Sequence, residues 1–122
     1  MTVPMKVGLD IVRVSRFESH VEVGDSLVAR IFTPDEIAQI PFGPTRAQRL
    51  AGRWAAKEAV AKALGCGFGE ELSFREVEIL HDTKGAPLVR LTEAAAARHN
   101  NPTFSISITH DGEYAAAIAA AL

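Results

Sequence analysis

The 122-residue chain predicts an α+β fold, one domain over residues 1–122, in which one long buried helix lies against a mainly antiparallel sheet. Three observations predict it. Apolar and polar residues alternate near both ends of the chain, an unbroken helix-forming run fills the middle, and the turns between the later alternating runs are short enough for hairpins.

Residues 5–12 alternate strictly, with Val7, Leu9 and Ile11 on one face and Gly8, Asp10 and Val12 on the other, which predicts a strand with one core face. From Ser15 to Phe32 the spacing loosens to Phe17, Val21, Leu27, Val28 and Ile31, broken at Gly24, and predicts two short helices. Thr33-Pro34-Asp35-Glu36 is a capping box. Its Thr caps, its Pro loses nothing by lacking an N–H in a first turn, and its Glu is placed to reach back. The helix it opens stops near Pro41, and Pro41-Phe42-Gly43-Pro44 is a turn.

From about Thr45 to Leu64 the chain is rich in Ala, Leu, Lys, Glu and Arg, and Gly65 suits the left-handed cap that ends a helix. At about 100° per residue, apolar side chains nearly surround this helix, with Arg53 and Lys57 along one line and Glu58 and Lys62 along another. Such a helix is largely buried, so its charges need partners. Beyond the Gly65-Cys66-Gly67-Phe68-Gly69 loop, Val77 and Ile79 alternate with Glu76 and Glu78, and Asp82-Thr83-Lys84-Gly85 turns the chain into a hairpin partner at Pro87–Leu91. Thr92 caps a brief alanine-rich helix to about His99, and Phe104, Ile106 and Ile108 then alternate with Ser105, Ser107 and Thr109 in a strand ending at His110. In the last segment, Tyr114 to Leu122, propensity and context disagree. Six alanines in seven residues favour helix, whereas the Asp111-Gly112 turn behind a strand favours a hairpin partner, and strand is predicted.

Composition narrows the function classes. With 48% apolar and 23% charged residues the chain builds an ordinary core and is neither disordered nor collagen-like. Thirteen Lys plus Arg against 15 Asp plus Glu leave a net charge of −2, so there is no basic footprint for bulk nucleic-acid binding. No apolar run is long enough for a membrane span. Cys66 is the single cysteine and forms no internal disulfide, and residues Met1 to Lys6 show no secretion-leader pattern, so a cytoplasmic protein is expected.

Two carboxylates stand in uncomfortable places: Asp10 within a strand, and Glu58 on a mostly buried helix. A hard cation such as Mg²⁺ would explain both, since it takes carboxylate oxygens and completes its shell with water and substrate phosphates. The alternatives are an i,i+4 ion pair of Glu58 with Lys62, and Asp10 capping a turn. Arg53, Lys57 and Lys62 supply three cations suited to phosphate groups. His110 stands where the strand pattern calls for an apolar residue, as a base, a phosphate contact or a structural histidine at a turn. His20, His81 and His99 have no zinc-site spacing and read as surface residues. The glycine-rich loop follows a helix, whereas phosphate-cradling loops precede one, so neither a Walker loop nor a dinucleotide fingerprint is present. No nucleophile elbow or catalytic-cysteine arrangement is present either, and Cys66 is read as inert.

Three ordered blocks, GLDIV at Gly8–Val12, LAGRWAAKEAVAKALG at Leu50–Gly65 and SISITHDGEYAAA at Ser105–Ala117, resemble the bacterial holo-acyl carrier protein synthases, the short 4′-phosphopantetheinyl transferases. RIFTPDE at Arg30–Glu36 and GAPLV at Gly85–Val89 extend the resemblance over nearly the whole chain. It implies the 4′-phosphopantetheinyl transferase fold and transfer of 4′-phosphopantetheine from coenzyme A to a serine of apo acyl carrier protein, leaving adenosine 3′,5′-bisphosphate, in support of fatty acid biosynthesis.

By the same resemblance Asp10 and Glu58 bind Mg²⁺, Lys62 neutralises charge on the pyrophosphate, and Arg53 and His110 contact coenzyme A, with Lys57, Ser107 and Thr109 as further contacts. Attack by a serine hydroxyl needs a proton acceptor and neutralised phosphate charge. Glu58, directly or through water, and His110 remain open as the acceptor, with Glu58 preferred. Arg16, with Arg13 nearby, matches the position that docks the acidic carrier. Longer relatives hold two such halves with the site between them, so this chain is expected to oligomerise, and the resemblance to the short family implies a homotrimer with Asp10 and Glu58 facing residues such as His110 across an interface. The other reading is a non-catalytic coenzyme A or nucleotide-binding module of the same fold.

Overall fold

The computed structural model describes residues 5–122, so the reading of Met1 to Lys6 as no secretion leader falls largely outside it. Five strands are described. β1 (Lys6–Arg13), β4 (Phe104–Asp111) and β5 (Tyr114–Ala121) form an antiparallel sheet in the order β1-β5-β4, and β2 (Val77–His81) with β3 (Pro87–Leu91) forms a separate antiparallel hairpin. The helices are α1 (Ser26–Ile31), α2 (Pro34–Ala38), α3 (Arg46–Leu64) and α4 (Glu93–Arg98), with short 3-10 turns at Val14–His20 and Phe74–Glu76. The expected α+β class is the observed one, with α3 packed across β1 and β5.

The alanine-rich end of the chain is a strand, and the central one. β5 pairs with β1 and β4 on its two edges, so its backbone groups find ladder partners on both sides, and this outweighs the helix propensity of alanine. Small side chains also let α3 come close. Ala115, Ala117 and Ala119 are buried on the inner face of β5, opposite a helix whose Ala51, Ala55, Ala59 and Ala63 recur every four residues and are likewise buried.

In β1 the face turned to this core is Gly8, Asp10 and Val12, and the more apolar face looks out. Val7, Leu9 and Ile11 remain 54%, 62% and 65% exposed, and Ile118, opposite Leu9, is 45% exposed. The reason lies at Gly8. A Cβ there would stand 1.9 Å from the Ala59 carbonyl oxygen and 2.6 Å from the Ala63 amide nitrogen, so strand and helix backbones touch where only hydrogen fits. That contact sets which face of β1 points inward, and so turns Asp10 toward α3.

On its other flank α3 meets aromatic side chains. Trp54 lies between Phe17 and Phe74, with ring centroids 6.1 and 5.2 Å away. The capping box of α2 forms as expected: the Glu36 amide donates to Thr33 Oγ1 at 3.3 Å and the Thr33 amide donates to Glu36 Oε1 at 3.0 Å. Gly65 ends α3 at φ 79°, as the sequence predicts.

Candidate active site

The first group of functional side chains comes from β1 and α3. Asp10 is on the inner face of β1 because Gly8, two residues earlier, lies on the helix. Lys62 Nζ, one turn after Glu58, donates to Asp10 Oδ1 at 3.1 Å and to the Leu9 carbonyl at 2.9 Å. The ion pair of Lys62 is therefore with Asp10 across the two elements, not with Glu58 along the helix. Burial pushes the Glu58 carboxyl above the usual carboxylate range, and the neighbouring Asp10 charge adds to the rise against the pull of Lys62 and Arg16. A half-buried carboxyl beside a second acid is a place for added positive charge, and the hard oxygens of Glu58 and Asp10 fit a hard divalent cation. No cluster of three or more His, Cys, Asp or Glu exists among the described residues, so such an ion would draw the rest of its shell from water and substrate.

A second group lines a cleft of about 380 Å³ between the N-terminal half of α3, β2 and the end of β4. Arg49 and Arg53 reach it from α3, His81 from β2, and Thr109 and His110 from β4, with no carboxylate on its wall. His110 lies on the inner parity of β4, opposite Ala115, and its Nδ1 meets Gln48 Nε2 at 2.9 Å. Burial lowers the proton affinity of Arg53, Arg49 adds to that, and Glu36 opposes it. Its buried Nε finds no partner among the described residues. An array of cations without a counter-carboxylate favours an anion.

Lys57 belongs to neither group. Its side chain and that of Glu36 are fully buried, and its Nζ donates to Glu36 Oε1 at 2.7 Å, to the Phe74 carbonyl at 2.7 Å and to the Val77 carbonyl. All three ammonium protons are used, so the expected contact of Lys57 with coenzyme A is replaced by a structural role. Glu36 Oε2 also accepts from the Ile79 amide at 2.9 Å, which ties α2, α3 and β2 together. Ser107, on the outer face of β4, is exposed and lies outside the cleft, whereas Thr109 is on its wall.

Arg16 is exposed, its guanidinium 5.1 Å above the Trp54 ring, on the flank that carries Glu58. Arg13 points to the outer face, over Tyr114 and 3.6 Å from Glu113. Sequence reasoning missed Gln48, Arg49 and His81, whose place in the cleft comes from β2 and β4 packing beside α3, and no spacing signals that. It also missed Glu36 as the partner of Lys57, although the need for a partner was legible.

The described residues include no helix long and apolar enough to cross a membrane. The chain as a whole is similar to known proteins. The holo-[acyl-carrier-protein] synthase of Geobacillus kaustophilus is 46% identical over 115 residues, 91% of this chain and 83% of that protein. That of Sulfurovum sp. is 43% identical over 117 residues, 95% of each chain. The crystal structure of Helicobacter pylori holo-[acyl-carrier-protein] synthase in complex with coenzyme A is similar at a TM-score of 0.84 and 34% identity, covering 95% of this chain and 99% of that one. The profile of the 4′-phosphopantetheinyl transferase superfamily matches residues 6–119, a span that holds both the Asp10, Glu58 and Lys62 group and the cationic cleft, and the chain belongs to that superfamily.

Proposed function

We propose that this protein is a holo-[acyl-carrier-protein] synthase, transferring 4′-phosphopantetheine from coenzyme A to a serine of apo acyl carrier protein and serving fatty acid synthesis in the cytoplasm. The observation that carries the reading is the half-buried Glu58 carboxyl facing the Asp10 charge, with Lys62 paired to Asp10, in a chain of this superfamily.

Asp10 and Glu58 would hold Mg²⁺, which when bound offsets charge on the coenzyme A pyrophosphate. Lys62 spends two N–H groups on Asp10 and Leu9, and its half-exposed ammonium offers the third to a phosphate oxygen. Glu58, raised by burial and by Asp10, accepts the serine proton, directly or through one water. The serine oxygen bonds to the β-phosphorus as the bond to the bridging oxygen breaks, and adenosine 3′,5′-bisphosphate leaves with that oxygen. Arg49, Arg53 and His110 in the cleft hold the anionic end of coenzyme A. Arg16, exposed beside Glu58, meets the acidic carrier.

The Asp10, Glu58 and Lys62 group does not line the cleft of its own chain. The outward apolar face of Val7, Leu9, Ile11 and Ile118 supports a homotrimer in which the acids of one copy meet the cleft of the next, so that the transfer site forms between subunits.

The test is an intact-mass measurement of a bacterial apo acyl carrier protein incubated with this protein, coenzyme A and Mg²⁺. One phosphopantetheine is gained, chelator abolishes the gain, and added Mg²⁺ restores it. Glu58→Gln slows the transfer by at least about a hundredfold while the fold is retained. Coenzyme A binding without transfer to any of several carriers would instead mark a non-catalytic binding module.

A further inference from the structure

The first turns of α3 run antiparallel to the end of β4, and two contacts one helical turn apart set their register. A Cβ on Gly52 would lie 3.0 Å from Ile108 Cγ2, so the missing side chain lets the helix settle on the strand at this point. Four residues back along the helix is Gln48, and two residues on along the strand is His110. These steps are about 6 Å in a helix and about 6.6 Å in a strand, so the second pair falls opposite as the first does. There Gln48 Nε2 stands 2.9 Å from His110 Nδ1.

An amide nitrogen only donates, so this contact makes Nδ1 the acceptor and leaves the proton of a neutral imidazole on Nε2. The other charged groups on this cleft are Arg49 and Arg53 from α3, and the titratable one is His81 from β2. Asp111, the next residue along β4, points to the opposite face of the strand. We propose that Gln48 is a positioning residue that holds His110 as its Nε2–H tautomer, making the imidazole a hydrogen-bond donor to the anion in the cleft and not a proton acceptor. This rests on the coenzyme A reading for the identity of that anion, and it leaves Glu58 as the acceptor of the serine proton.

The test is ¹⁵N NMR of the histidine rings in the protein without coenzyme A, paired with coenzyme A binding by calorimetry. In the wild type Nδ1 of neutral His110 is unprotonated. Gln48→Lys, which can only donate, keeps that tautomer, whereas Gln48→Glu, which can only accept, moves the proton to Nδ1 and weakens coenzyme A binding about tenfold. A protonated Nδ1 in the neutral wild-type ring, or the same tautomer in both variants, overturns the proposal. The tautomer is read without ligand, so failure to bind coenzyme A or to transfer phosphopantetheine would count against the functional reading and not against the geometry.

Discussion

Lys57 and Glu58 are adjacent in sequence and opposite in use. Lys57 is sealed in the core with three oxygen partners, and Glu58 is half-buried in the field of the Asp10 charge. Lys57→Met would leave Glu36 as an uncompensated buried charge and cost about 3–5 kcal/mol, measured by urea denaturation. Glu58→Gln removes a carboxylate from an unfavourable like-charge pair and is expected to leave the denaturation midpoint unchanged or higher. Acid stability has a separate origin at Glu76. The hydrogen-bonded Arg98 guanidinium, with the Ser73 amide, lowers its carboxyl from the ordinary 4.5 to about 2. A folded-state pKa below the unfolded one stabilises the protein above the unfolded value and is lost as pH falls through the folded one. Compared with Glu76→Gln, the wild type is therefore more stable by a constant margin above about pH 5, and the margin closes as pH falls toward about 2. Thermal melts across that range would show it.

At the scale of elements, the geometry of the proposed active site depends on how close α3 lies to the strands. Gly8 and Gly52 are both places where a side chain would push helix and sheet apart, but they differ in severity. At Gly8 the obstacle is backbone only 1.9 Å away, whereas at Gly52 it is one methyl group of Ile108 at 3.0 Å. Gly8→Ala therefore costs about 3 kcal/mol or more and moves Asp10 away from Lys62. Gly52→Ala costs about 1 kcal/mol and is expected to loosen the Gln48 contact with His110. Denaturation curves of the two variants give the ranking, and equal costs would contradict it. The hairpin of β2 and β3 is held from outside by α2. Glu36 accepts from the Ile79 amide, and Gln39 exchanges two hydrogen bonds with the His81 backbone, at 2.9 and 3.1 Å. Side chains thus occupy backbone groups on β2 that a further strand would otherwise take, and fix the cleft wall.

For the whole molecule, the exposed apolar face of β1 is the feature that bears on assembly. Three alternate apolar residues of one strand, with Ile118 opposite the middle one, form a contiguous patch that water does not favour. Replacing Leu9 and Ile11 together by Asp is expected to convert the proposed trimer to monomer by light scattering and to abolish transfer, with the far-ultraviolet circular dichroism of the fold retained. Neither residue is in the proposed catalytic group, so loss of activity on dissociation would report a site shared between copies.

Local signals were strong where the physics is local. The alternation of β1 and β4, the capping box at Thr33, the length of α3 and its end at Gly65 are set by side-chain periodicity and by the needs of unpaired backbone groups, and all were legible in the chain. The awkwardness of Asp10 and Glu58 was legible too, because a charge in a strand or on an apolar helix is costly wherever it finally lies. Packing decided the rest. Which face of β1 points inward follows from the contact of Gly8 with Ala59 and Ala63, more than fifty residues away in sequence. The partner of Lys57 sits 21 residues before it, and Gln48 meets His110 across 62 residues. Such pairings depend on the distance and angle between packed elements, which no local spacing records, so the chemistry of the site was readable as residue types and its assembly only as geometry.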